Sequence, residues 1–193
     1  MIKLFLFFFL FVNILTAEKI QKSEWQRPNK IPSPKNNPLS KEKILLGKKL
    51  FFDPILSRGN NISCATCHNP LKGWSDGDTI AIGDKGRSGV RNTPSILNSA
   101  YQYIYFWDGR AKSLEEQALG PIAAHVEMNL DPTEAVEKLR SNAEYKKIFQ
   151  ELFPKEGITT VTLAKAIASF ERSIVSGKSR FDLYMAGDKT KLS

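Results

Sequence analysis

The chain has 193 residues, 41% hydrophobic and 25% charged, which is enough for one domain with a real core and short for two. That apolar share is ordinary for a globular protein and excludes disorder as the default reading. The formal charge is +8, one unit lower once residues 1–17 are removed, but Lys and Arg are spread along the chain rather than run together as in nucleic-acid-binding tails. Nucleic acid is therefore excluded as a partner, and the charge reads as a solvated surface with a docking role toward an acidic partner.

Residues 1–17 read as a secretory signal peptide. Lys3 is followed by an unbroken apolar run from Leu4 to Val12, and a small-residue exit at Ala17 precedes Glu18 and Lys19. The run is short against the ~20 residues of a spanning helix, and no later stretch could cross a bilayer, so the expected location is the periplasm with no membrane span after cleavage. Residues 18–38 carry Pro28, Pro32, Pro34 and Pro38 and read as a polar arm. Ser40 is a plausible N-cap for a short amphipathic helix with Ile44, Leu45, Leu50 and Phe51, ending before Pro54. Residues 57–112 are rich in turn formers, among them Gly59, Gly73, Gly77, Gly83, Gly86 and Gly89, as expected of loops wrapped around something.

From Ser113 the chain reads as capped helices. Ser113 with Glu116 and Ser141 with Glu144 fit capping boxes, and Asp131 before Pro132 is another helix start. Tyr145, Ile148, Phe149, Leu152 and Phe153 form one core-facing stripe; Leu163, Ile167, Phe170 and Ile174 form a second, ended by Gly177. Ser179 and Asp182 open a last short helix. No strand pattern of comparable strength and no internal repeat is present.

The chemistry concentrates at Cys64-Ala65-Thr66-Cys67-His68, which matches C-x-x-C-H, the attachment signature of c-type haem. On one helical turn, two thiols three positions apart reach both vinyl groups of a porphyrin, and the next residue presents its imidazole to the iron. A redox dithiol would normally sit in a βαβ pattern, which is missing. A zinc site needs about four ligands, and the chain holds two Cys and two His in all. A structural disulfide does not account for the His that follows at once. The expected cofactor is one covalent haem c, with His68 as axial ligand.

Further motifs surround this one. Leu46-Gly47-Lys48-Lys49-Leu50-Phe51-Phe52-Asp53-Pro54 precedes it; Arg91-Asn92-Thr93-Pro94, Phe106-Trp107-Asp108-Gly109-Arg110, Gln117, Pro121 and Glu127-Met128 follow. In that order and spacing, from about residue 38 to the end, the chain resembles the bacterial di-haem cytochrome c peroxidases, a family that includes the methylamine-utilisation haem enzymes. The resemblance implies an all-α, cytochrome c-like haem domain with a helical extension, spanning residues 39–193 and equivalent to the family's N-terminal, peroxidatic half. It implies reduction of hydrogen peroxide to water with electrons from a small periplasmic donor, a cytochrome c or a cupredoxin. Glu127 and Gln117 match a Glu and a Gln on the open face of the peroxidatic haem, and Trp107 matches a Trp that couples the two haems. Asn92 matches a residue that contributes to a calcium ion between the two domains.

Two departures from the family pattern stand out. No second C-x-x-C-H is present, so the second haem domain is expected to be absent or carried by a separate chain. In Ile82-Gly83-Asp84-Lys85-Gly86, Asp84 stands where many family members have a removable His cap, so an open or water-bound distal position is expected. His125, the only other His, reads as a satisfied or solvated side chain ahead of a distal ligand. Of Met128 and Met185, the former reads as packing. The rival functions are a mono-haem electron-transfer cytochrome c and a catalytically incomplete fragment that needs a second haem domain.

Overall fold

The structure is a computed structural model that describes Pro28 and residues 30–192; the expected signal peptide lies outside these residues. Contacts divide the chain into a unit from Ile31 to Val175 and a second one that includes Ser176–Ser193.

The first unit is built on helix α6 (Thr160–Ser173), which the sequence makes almost entirely buried. Thr159 caps it by accepting from the Thr162 amide, and Ala164, Ala166 and Ala168 keep its girth small enough for neighbours to close in. Its main neighbour is α1 (Lys41–Phe52). Ser40 caps α1 by accepting from Lys43 N–H at 3.2 Å. The helices cross at Gly47, where a Cβ would stand 2.0 Å from the Ala166 carbonyl oxygen, so only glycine permits the approach. Leu50, Phe51, Leu163 and Ile167 are fully buried at this contact, each contributing roughly 1.5–3 kcal/mol of transfer free energy. Leu45, expected on the apolar face, is exposed, because the buried stripe of α1 is Leu46, Gly47, Leu50 and Phe51.

Helix α3 (Leu114–Ala123) also packs on α6. The two are joined by a bidentate ion pair, Arg172 Nη1 and Nη2 each donating to a Glu115 carboxylate oxygen at 2.7 Å, with both side chains largely enclosed. Glu115 also accepts from Asn37 Nδ2 at 2.7 Å, and Asn37 is buried. The end of the Pro-rich segment therefore packs into the compact unit. Helices α4 (Pro132–Ser141) and α5 (Ala143–Leu152) complete the shell. Asp131 caps α4 as expected. The cap of α5 is Asn142, one residue beyond the expected Ser141, because its amide oxygen accepts from both Glu144 and Tyr145 N–H.

Between α1 and α3 the described chain is loops, the one-turn helix α2 (Cys64–Cys67) and single 3₁₀ turns. Three isolated β-bridges are the only strand-like pairing among the described residues. The second unit contains α7 (Arg180–Met185), started by a Ser179–Asp182 capping box.

Candidate functional site

Helix α2 sets Cys64 and Cys67 on one short turn and leaves His68 at its C-terminal cap, its backbone N–H donating to Cys64 O at 2.9 Å. The thiols are free and half-buried. Burial pushes the Cys64 thiol up to about 12, helped by Glu171 and Cys67, and burial followed by Asp76 and Glu127 raises the Cys67 thiol as well. A redox dithiol works through a lowered pKa, so these raised values argue against that chemistry.

His68 is oriented from behind. Its Nδ1 lies 3.1 Å from the Trp74 carbonyl oxygen, which can only accept, so the proton is on Nδ1 and Nε2 keeps its lone pair. Burial lowers the His68 pKa against the opposing pull of the Trp74 and Pro94 carbonyls and of Asp76, leaving a neutral imidazole near neutrality. Phe51 and Phe170 fill the space behind: Phe51 lies 6.3 Å from the His68 ring and 6.2 Å from Trp74, and Phe170 lies 5.1 Å from Phe51. The loop that positions Trp74 is closed by Thr93, whose hydroxyl donates to buried Asp76 at 2.6 Å, and by Ser75 donating to Thr93 O at 2.8 Å. Trp74, Asp76 and Thr93 were not singled out from the sequence as site residues. Trp74 acts through its backbone, and the other two meet across the 91–94 loop.

Glu127 occupies a turn after α3. Its N–H and that of Asn129 both donate to Ala124 O at 3.0 Å, while Met128 and Leu130 are buried and anchor the C-terminal end of the turn. Glu127 is half-buried; burial raises its pKa, and Arg110 opposes that rise. It lies within electrostatic reach of both Cys64 and Cys67. Arg110 is stacked 3.5 Å above the Phe106 ring and bound to Asp108, so the Phe106–Arg110 motif holds that cation in place. Gln117 is half-buried on α3, and its side-chain amide has no hydrogen-bond partner among the described residues. No hydrogen bond joins it to Glu127.

Trp107 is 63% exposed, its Nε1 donating to Asn92 O at 2.9 Å. It is not a core aromatic. Asn92 also gives its Nδ2 to Asp78 O at 2.6 Å. Its free Oδ1 is one oxygen where calcium takes six to eight, so Asn92 alone does not define a calcium site. His125 is exposed and donates from Nδ1 to Asn129 Oδ1 at 2.9 Å, which agrees with the solvated reading. Met128 lies in the hydrophobic core.

The donors present fit haem c: two unpaired thiols at thioether spacing and a neutral imidazole with a free Nε2. Ile82, whose carbonyl lies 3.9 Å from Cys67 Sγ, and Val126, beside Glu127, are 48% and 37% exposed, apolar surface that a flat apolar cofactor would cover. The surface recess lined by Ile55, Asn60, Glu134 and Lys138 lies elsewhere, and its Lys138 ammonium is already taken by Ile55 O, Ser57 O and Asn60 Oδ1.

A helical scaffold with this turn and ligand set defines a domain of the cytochrome c type. The family model described as di-haem cytochrome c peroxidase matches residues 41–190, and the chain belongs to that family. It is 43% identical over 172 residues to the methylamine utilization protein MauG of Methylophilus methylotrophus, covering 89% of this chain and 51% of that one. It is 41% identical over 167 residues to the cytochrome c551 peroxidase of Pseudomonas aeruginosa, covering 86% of this chain and 48% of that one. Among solved structures, a MauG-like protein associated with microbial copper homeostasis superposes with a TM-score of 0.75 at 35% identity, over 85% of this chain and 50% of that one. The chain thus spans about half the length of the curated relatives it matches. No helix among the described residues is long and apolar enough to cross a membrane.

Proposed function

We propose that this chain is the peroxidatic haem unit of a cytochrome c peroxidase, exported to the periplasm, that reduces hydrogen peroxide to water. The observation that carries the reading is the Nδ1–H bond from His68 to the Trp74 carbonyl: directly after two free thiols, it leaves one ring nitrogen with a lone pair and a fixed direction. Cys64 and Cys67 would hold haem c by adding their S–H groups across its two vinyls, and His68 Nε2 would be the axial ligand. Haem c supplies a redox-active iron at which peroxide is bound and reduced. The Trp74 bond fixes the tautomer and prevents ring rotation, while burial keeps His68 neutral. Glu127, its pKa raised by burial, accepts the proton from the near peroxide oxygen and returns it to the far one. Gln117 has an amide N–H to spare and orients the peroxide. Trp107, exposed and held by Asn92, would lie on the route of electrons arriving from a second haem domain and, through it, from a small donor protein, a cytochrome c or a cupredoxin.

The test is to load the exported chain with haem, add equimolar hydrogen peroxide and follow the visible spectrum. A rapid spectral change that is lost in Glu127→Gln is the expected result. A six-coordinate, low-spin spectrum that ignores peroxide would overturn the peroxidase reading in favour of an electron carrier. That rival requires a strong sixth ligand, and Met128 is committed to the core.

A further inference from the structure

Asp84 is fully buried, yet it lies in a surface loop far in sequence from any helix of the core. Its backbone N–H donates to Glu127 O at 2.7 Å. Its Oδ2 accepts from Asn129 Nδ2 at 3.2 Å and from Arg87 Nη1 at 3.1 Å. One residue therefore grips the Glu127 turn at two points, on Glu127 itself and two positions beyond it. The loop is stiff enough to serve: Gly83 N–H donates to Arg87 O at 2.8 Å, and Gly89 N–H to Ala81 O at 2.8 Å. It is also pressed against the turn, since a Cβ on Gly83 would stand 2.1 Å from Val126 O. Its other side runs past Cys67, with Ile82 O 3.9 Å from the sulfur.

We infer that Asp84 is a positioning residue, whose carboxylate clamps the 125–129 turn and so fixes the Glu127 carboxyl against the haem-attachment turn. The chemistry of the clamp is consistent. Burial pushes the Asp84 pKa up, but the Asn129 amide, the Arg87 guanidinium and the nearby Lys85 outweigh it and hold the carboxyl below the usual carboxylate range. The Asp84 Oδ1 atom, enclosed against Gly59 and without a hydrogen-bond partner, shows that the side chain is placed for its Oδ2 contacts rather than for its own solvation. His125 extends the chain by donating to Asn129 Oδ1, which leaves Nδ2 of the same amide directed at Asp84. Any substitution at 84 other than proline keeps the backbone bond to Glu127, so replacing the carboxylate isolates the clamp.

The inference rests on Glu127 as the proton acceptor, and two readouts keep the claims apart. Cyanide is the probe: HCN must give up its proton to bind ferric haem, and Glu127 is the acceptor. In haem-loaded chain, Glu127→Gln and Asp84→Ala are each expected to slow cyanide association about tenfold or more. The double variant should be no slower than Glu127→Gln alone. Hydrogen exchange of residues 125–129 is expected to rise about tenfold in Asp84→Ala, with residues 64–76 unchanged. Asp84→Asn, which keeps the shape, should show the same pattern in weaker form and serves if Asp84→Ala does not fold. If Glu127→Gln leaves cyanide binding unaltered, the reading of Glu127 fails, while exchange still decides whether Asp84 holds the turn. Unchanged exchange at 125–129, or losses that multiply in the double variant, would overturn the inference.

Discussion

The two walls of the site are built in different ways. The proximal wall is local: Cys64, Cys67, His68 and the Trp74 carbonyl that orients the imidazole lie within eleven consecutive residues, backed by Phe51 and Phe170. The distal wall is assembled from afar. Glu127 stands on a turn tied to Asp84 and, through the Met128 carbonyl, to Arg58 N–H at 2.9 Å. A local wall is robust because neighbours in sequence are neighbours in space at little entropic cost. A non-local wall depends on every strut, so substitutions should affect the two unequally.

The largest effect is expected at Arg172, which joins α6, the helix that carries Phe170, to α3, the helix that leads into the Glu127 turn. Arg172→Ala leaves the enclosed Glu115 carboxylate without its charged partner and should cost about 3–5 kcal/mol in urea unfolding. Glu171 sharpens the proximal side. Burial, with Glu115 adding and Arg172 opposing, raises it from an ordinary 4.5 to about 8. The folded state therefore binds the proton more tightly, and the stability this contributes is full below about pH 4.5 and lost as pH rises to about 8. Glu171→Gln should flatten the stability profile across that window by an amount on the order of a few kcal/mol. Gly83→Ala attacks the distal wall alone: the new methyl meets Val126 O, with an expected cost of about 1–3 kcal/mol and normal haem attachment. Loss of attachment there would contradict the separation of the walls. Tyr145→Phe, which removes a 2.7 Å bond to Asp53 Oδ2 away from both walls, should cost about 1 kcal/mol and leave both intact.

The same contrast explains what was legible in the sequence. The helix starts at Ser40, Asp131 and Ser179 could be read because a cap and the amides it binds lie two or three residues apart. The buried stripe of α6 followed from its periodicity. The α5 start was misplaced by one residue because Ser141 and Asn142 are both competent caps, and only the fold selects between them. The Cys64–His68 turn stands out in the sequence because the chemistry proposed for it depends on a spacing. Trp74 was not, because it contributes a carbonyl, which every residue has. The enclosure of Asp84 was equally hidden: its Asn129 partner is 45 residues away, and in sequence it is only a polar residue between glycines. The exposure of Trp107 was hidden as well, because a large aromatic in sequence reads more readily as core than as surface.

The most direct test of the account is the covalent haem content of the exported chain, read from the pyridine haemochrome spectrum and the intact mass. The account predicts one haem held by two thioethers in the native chain. It predicts one thioether when either Cys64 or Cys67 is replaced by Ser, none when both are, and an altered iron spectrum with attachment retained in His68→Ala. A chain that leaves the export machinery with Cys64 and Cys67 joined as a disulfide and no haem would contradict it.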